Sequence, residues 1–293
     1  MSILDDIKHD ITQQTAINFD GCQSSSIGGG CINSAYKLQA QEQTIFIKTN
    51  QKSLLHMFEA EAQGLQELGA LNCVRIPKVI CFGATLGHSY LAMEYIELGG
   101  FRGNASALLG QQLAQLHRQK QPYFGWQMDN TIGSTPQHND HSHNWLEFWQ
   151  QQRLSQQLTF AAHNGFNGSL QKRGQTLVDN IAVFFNNYSP EPSLLHGDLW
   201  GGNAAADDQG NPVIFDPACY YGDRETDIAM TELFGGFNND FYAAYQKEYP
   251  LDSGYQVRKT LYNLYHILNH LNLFGGGYLG QAESMIEQLL AET

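Results

Sequence analysis

Residues 194–203 read LLHGDLWGGN, and residues 214–227 read IFDPACYYGDRETD. Together they place an acid, Asp198, two residues after His196, an amide, Asn203, five residues after that acid, and a second acid, Asp216, eighteen residues after the first. All three carry hard oxygen donors, the type magnesium prefers, and magnesium sites combine few protein ligands with phosphate oxygens. Short apolar runs on either side of the polar turn ADDQGNP predict a small hairpin. Such a hairpin would bring Asn203 and Asp216 together at its base, with Asp198 beside them and free to accept a proton. Asp, Asn and Gly also fill ordinary turns. The complete set, HGDxxxxN followed by IFDPA, is what points to a divalent metal with an anion beside it.

Outside these stretches the chain divides by pattern. INSAYKL and TIFIKTN alternate in the manner of strands and are separated by QAQEQ, while RIPKVICFGATLGHSYLAMEYIEL predicts two more strands around ATLGH. Between the pairs, residues 53–69 form an apolar stripe of Leu54, Leu55, Phe58, Ala62, Leu65 and Leu68, with Gly69 at the position of a C-cap. A polar helix with Ile3, Leu4, Ile7 and Ile11 on one side precedes them. Residues 1–97 therefore read as a small sheet carrying one main helix, in the order β-β-α-β-β. Residues 98–293, after the break at Gly99-Gly100, read as mostly helical. The expected fold class is α+β, a sheet-rich N-lobe hinged to a larger helical C-lobe across a cleft.

Composition narrows the function. The 293 residues include 16 basic and 29 acidic side chains, a formal charge of −13, which argues against a nucleic-acid-binding body and against a polybasic membrane anchor. An anionic ligand would need a local cation. The five cysteines, Cys22, Cys31, Cys73, Cys81 and Cys219, form no CxxC pair, so neither a zinc ribbon nor a disulfide framework is indicated. The acidic start MSILDDIKHD does not resemble a signal peptide, and no apolar run reaches the ~18 residues of a membrane span, so a cytoplasmic location is expected.

Lys48 supplies a candidate cation. Period-2 alternation puts Phe46 and Lys48 on one face of TIFIKTN, so the ammonium would lie against buried surface unless paired. Glu59 and Glu61 on the next helix are the available acids. The glycine turn Gly28-Gly29-Gly30, ahead of this strand, would let backbone amides approach phosphates. It is neither a Walker A sequence nor GxGxxG.

HGDxxxxN with the later acid resembles the protein-kinase-like superfamily, in particular its aminoglycoside and choline kinases. HGDLWGGN–DPACYYGDRETD, with GGGCINSAYKL, FIKTN, FEAEAQGL, LAMEYI, LGQQLAQLHR and FGWQMDNTIGSTPQ, is similar to the fructosamine kinase (ketosamine-3-kinase) family over about residues 10–285. The Trp of HGDLW and DNTIGSTPQ make the likeness specific. The resemblance implies ATP and Mg2+ as cofactors, Asp198 as catalytic base, and Asn203 and Asp216 as metal ligands. It further implies Lys48 on the nucleotide phosphates with Glu61 as its preferred partner, Glu59 staying open. The adenine would sit against Met93, Glu94 and Ile96. Trp200 would contact the sugar or lock its loop; Asp129, Asn130 and Thr135 would shape the acceptor side or only the turn. His196 is expected to buttress its loop. Asp223, Arg224 and Asp227 are expected to tie the metal loop to the next helix.

Cys31 reads as a small residue opening a strand or, by the resemblance, as a thiol in the phosphate loop that oxidation could inactivate or cross-link. His138, His141 and His143 invite a transition-metal reading, against which stand their loop setting and the lack of nearby cysteines. The implied activity is transfer of phosphate to the 3-hydroxyl of a ketosamine, free or protein-bound, in deglycation, by a monomer or a homodimer that uses no nucleic acid or membrane partner. The alternatives are a kinase of choline, an aminoglycoside or a sugar, and a non-catalytic kinase-like binding protein. A protein kinase is disfavoured by the absence of DFG and APE.

Overall fold

The computed structural model describes residues 3–28, 32–40 and 43–293; Gly29, Gly30 and Cys31, named above for phosphate contact and redox chemistry, lie outside the described residues. Helix α1 (Ile3–Thr15) precedes strands β1 (Gln23–Ile27), β2 (Ser34–Gln39) and β3 (Thr44–Gln51), then α2 (Leu55–Ala70), β4 (Val79–Ala84) and β5 (His88–Glu94). The five strands form one antiparallel sheet in the order β1-β2-β3-β5-β4. The β-β-α-β-β expectation thus lacks one strand. Gln23–Ser26 are all exposed on the sheet edge, so no apolar alternation marks β1.

The sheet is covered on both faces, which explains the near-continuous apolar character of β3 and β5. Ile45, Ile47, Tyr90 and Ala92 pack with Ile7 and Ile11 of α1. Phe46, Leu91 and Met93, on the opposite face, join the main core with Phe58, Leu65 and Leu68 of α2. A polar contact fastens α1: the Tyr90 hydroxyl donates to Asp10 Oδ2 at 2.5 Å. Burial and then this carboxylate push the Tyr90 hydroxyl far above the ordinary tyrosine range. Tyr90→Phe should therefore destabilise the fold by about 1–2 kcal/mol, seen as a lower Tm with unchanged turnover.

Helix α2 runs past the expected end at Gly69. Its left-handed residue is Asn72, at φ 52°, where a short polar side chain replaces glycine.

Beyond the extended run after β5 come α3 (Ala105–Leu116), the hairpin β6 (Asn130–Ile132) and β7 (Thr135–Gln137), and α4 (Trp145–Phe148), continued by a π-helical turn, Trp149–Leu154, into α5 (Ser155–His163). Next are α6 (Ser169–Asn180), β8 (Ser193–Leu195), β9 (Ala204–Ala206), β10 (Pro212–Ile214), β11 (Tyr220–Gly222), α7 (Glu225–Leu233), α8 (Asn239–Glu248), α9 (Tyr255–Phe274) and α10 (Leu279–Leu290). The expected hairpin is β9–β10, and β8 pairs antiparallel with β11. Helices α8 and α10 are weakly marked in the sequence. Each buries only a short stripe, Phe241 and Tyr245 in one, Ala282, Ile286 and Leu289 in the other. Among the described residues no helix is long and apolar enough to cross a membrane.

Candidate active site

Strand β8 delivers His196, Gly197 and Asp198 into the cleft, and the loop they form is held from beneath by one carboxylate. Asp227, buried on α7, accepts from the backbone N–H of His196 at 2.7 Å and of Gly197 at 2.8 Å. Its Oδ2 also meets His117 Nε2 at 3.1 Å, and His117 Nδ1 meets the Tyr245 hydroxyl at 2.8 Å. Asp227 therefore ties α7 to the catalytic loop, not to the metal loop as expected from sequence. His117, at the end of α3, is a supporting residue that sequence reasoning missed; it sits inside the quoted LGQQLAQLHR, but its partners lie more than a hundred residues away. Asp227→Asn would turn an amide N–H toward a backbone N–H. We expect it to cost about 1–3 kcal/mol of stability and to lower turnover, measurable by thermal unfolding and steady-state rate.

Gly197 adopts φ 82°, and a Cβ there would come within 2.0 Å of the Ala218 carbonyl oxygen. Only glycine lets the two loops cross so closely. His196 is spent on structure, as expected. Its Nε2 donates to the Phe215 carbonyl at 2.9 Å and its Nδ1 accepts from Asp198 N–H at 3.3 Å, which fixes a neutral tautomer. Burial lowers its pKa further.

The three oxygen donors converge. Asn203 Nδ2 donates to the Asp198 backbone carbonyl at 2.8 Å and to Asp198 Oδ2 at 3.1 Å. Its backbone carbonyl accepts from Phe215 N–H at 3.1 Å, next to Asp216 in sequence. Asp198 is pushed up to about 7, first by burial and then by the charge of Asp216, against the pull of Asn203. Asp216 stands at φ 58°, a left-handed conformation uncommon outside glycine, of the strained kind that gathers at functional sites.

Lys48 completes the arrangement. Its ammonium bonds Glu61 Oε1 at 2.6 Å and Asp216 Oδ1 at 2.5 Å, so Glu61 is the partner and Glu59 is not. Burial alone would lower the Lys48 pKa; Asp216 and Glu61 outweigh it and hold the side chain charged. The Asp216 side chain is 42 % exposed, leaving its second oxygen open to the cleft. The donor set suits magnesium: one carboxylate and one amide oxygen, the remaining positions falling to phosphate and water. Among the described residues no group of three or more His, Cys, Asp or Glu side chains is placed to hold a metal alone. His138 meets Asp129 at 2.8 Å, His143 meets the Pro122 carbonyl at 2.9 Å, and His141 stacks on Tyr123 with ring centroids 3.7 Å apart.

At the end of β5, Met93 is buried, the Glu94 N–H donates to Lys78 O at 2.8 Å, and the Glu94 carboxylate holds Arg75. Arg75 also pairs with Asp207 across the lobes. Ile96 follows in the extended run, and Gly28 stands exposed just after β1.

Two residues after Asp198, Trp200 is 40 % exposed and lies over Gly202, edge-on to Phe234 with centroids 6.4 Å apart. Asp129 and Asn130 are not free groups in the cleft. Asp129 accepts from Asn139 N–H and meets His138, while buried Asn130 donates to the Cys219 carbonyl at 2.8 Å and accepts from Gln137 and Asn139. Thr135 is buried as well. Through Asn130 and Gln137 the DNTIGSTPQ segment thus braces the Cys219 and Ala218 carbonyls just after Asp216. Asp223 accepts from Tyr188 and Tyr262, and Arg224 donates to the Tyr245 hydroxyl and the Tyr249 and Pro250 carbonyls, so both are spent on structure; Glu225, which the sequence reading did not name, accepts from Arg258.

The family model for fructosamine kinase matches residues 3–292. A Synechocystis protein named "Probable ketoamine kinase" is 47 % identical over 97 % of this chain and 96 % of its own. Arabidopsis thaliana protein-ribulosamine 3-kinase is 46 % identical over 90 % of this chain and 82 % of its own. The crystal structure of a fructosamine-3-kinase candidate from Haemophilus somnus superposes with TM-score 0.89 at 30 % identity, covering 98 % of this chain and 97 % of that one. An aminoglycoside phosphotransferase bound to ADP and hygromycin B shares the fold, with TM-score 0.63 at 12 % identity over 98 % of each chain. The chain belongs to the fructosamine kinase family.

Proposed function

We propose that the protein transfers the γ-phosphoryl group of ATP to the 3-hydroxyl of a ketosamine, a sugar joined through C1 to an amine. The observation that carries this is the convergence of Asp198, Asn203, Asp216 and the Lys48–Glu61 pair on one cleft. The relatives' names supply the acceptor class.

Phosphoryl transfer asks the protein mainly for alignment and charge neutralisation. Lys48, held charged and fixed in place, provides a cation for the α- and β-phosphates, supported by backbone around Gly28. Asn203 and Asp216 would hold Mg2+; when bound, the metal neutralises charge on the phosphate oxygens. Asp198 orients the acceptor hydroxyl and takes its proton. The Glu94 carbonyl and Ile96 N–H meet the adenine edge above Met93. Trp200 offers an apolar face to the sugar's C–H surface beside the base. Enolisation of the C2 carbonyl toward C1 expels the C3 phosphate and leaves a C1 imine, which water hydrolyses to release the amine; such a labile product fits a role in deglycation.

The test is ADP release with Mg2+ and ATP on ribuloselysine and fructoselysine, set against choline and kanamycin. Turnover is expected on the ketosamines. Turnover confined to choline or kanamycin would keep the catalytic assignment and discard the acceptor.

A further inference from the structure

The orientation of α2 decides whether Glu61 reaches Lys48, and that orientation is fixed by contacts on another side of the helix. Glu67 lies six residues beyond Glu61, about 9 Å further along the axis and turned well away from it around the helix. Its carboxylate is fully used. Oε2 accepts from the Trp126 indole N–H at 2.7 Å and Oε1 from the Tyr221 hydroxyl at 2.7 Å. Both donors are buried and belong to the C-lobe. They are joined to one another by the paired backbone bonds Gly125 N–H to Tyr221 O, 2.9 Å, and Tyr221 N–H to Gly125 O, 2.8 Å. Tyr221 sits on β11, which pairs with β8, the strand that delivers Asp198.

Between the two glutamates, Gly64 lets α2 come down on the metal loop. A Cβ at that position would meet Cys219 Sγ at 3.1 Å and Pro217 Cγ at 3.4 Å, immediately after Asp216. One helix thus touches Lys48 through Glu61, the metal loop through Gly64, and the strand pair behind the catalytic loop through Glu67.

We propose that Glu67 is a positioning residue for nucleotide: it locks α2 onto the C-lobe, so that the Lys48–Glu61 pair is held assembled without any activating partner or modification. This rests on the reading of Lys48 as the phosphate-binding cation. Trp126 and Tyr221 are the two anchors, and the Glu67 carboxylate accepts a hydrogen bond from each.

The test compares Glu67→Ala, Glu67→Gln, Trp126→Phe and Tyr221→Phe with wild type, with Lys48→Met as reference. ATP affinity is read by calorimetry, and KM for ATP, KM for the ketosamine and kcat are read separately. Glu67→Ala should raise Kd and KM for ATP by about tenfold while the ketosamine KM stays within about twofold. Glu67→Gln, which retains one acceptor oxygen, should recover part of the loss. Tyr221→Phe and Trp126→Phe should each show part of the effect, and neither should add to it in the Glu67→Ala background. Should Glu67→Ala not fold, Tyr221→Phe, which removes a single oxygen atom, carries the test alone. ATP affinity unchanged alongside a lower Tm would make Glu67 a mere stabiliser and overturn the proposal, as would a rise confined to the ketosamine KM. If Lys48→Met weakens ATP and Glu67→Ala does not, only the positioning role falls. If Lys48→Met itself leaves ATP binding intact, the phosphate-site reading falls and takes this inference with it.

Discussion

Asp198→Ala is expected to lower turnover by at least about 10²-fold, the lower range for a positioned general base, while nucleotide affinity stays within about threefold. The geometry separates the two quantities. Among the described residues the Asp198 carboxylate bonds Asn203, and the Lys48–Glu61 pair forms without it. On the proposed mechanism, losing the side chain removes the group that orients the acceptor hydroxyl and takes its proton, while the Lys48–Glu61 pair stays in place. Asp198→Asn sharpens the result, since it preserves volume and hydrogen bonding but not basicity. Its turnover should fall about as far, by 10²-fold or more. Rate measurement with calorimetric titration of ATP checks both. Wild-type turnover in either variant would remove Asp198 from the mechanism.

Asp216→Asn is expected to lower kcat/KM for ATP by about 10²-fold or more and to raise the magnesium concentration needed for half-maximal rate. Asparagine is the fitting substitution because the position is left-handed, φ 58°, and asparagine tolerates that region better than alanine. The change removes one charge from the donor set and one of the two carboxylates on Lys48, while Glu61 keeps the ammonium in place. The fold should therefore survive and the defect should appear in the metal titration. An unaltered magnesium requirement with normal kcat/KM would show that Asp216 is not a metal ligand. Read together, the two variants divide the site: Asp198 governs the rate at saturation, Asp216 the use of metal and nucleotide.

The legible parts of this site are those whose chemistry is local in sequence. HGDLWGGN and the hairpin after it could be read because a short polar turn forces its flanks together, and β9–β10 does bring Asn203 beside the residues preceding Asp216. Lys48 could be read because a charge between buried neighbours on a strand demands a partner, and Glu61 supplies it. The choice between Glu59 and Glu61 needed the rotation of α2 about its axis, which an apolar stripe fixes only coarsely.

What escaped depends on distant partners or on weak pattern. Strand β1 lies on a solvated edge and carries no alternation. His117, Glu67 and Arg75 look like surface residues of helices and turns until the lobes close and give each a counterpart far along the chain. Asn130 is the opposite case. Its motif drew attention to the acceptor side, but its amide is buried and spent on the Cys219 carbonyl and on its own hairpin. A buried amide must satisfy both its donors and its acceptor, and that requirement outranks any contact with a ligand.

In the proposed reaction the acid beside Trp200 directs a phosphoryl group to one hydroxyl of a ketosamine. The most direct measurement is phosphorus–carbon coupling by NMR in the product formed from ribuloselysine, ATP and Mg2+, with Asp198→Asn as control. A single phosphate coupled to C3, formed by wild type and not by the variant, is the predicted result. Phosphate on another hydroxyl, or ATP hydrolysed with the ketosamine left unmodified, would contradict it.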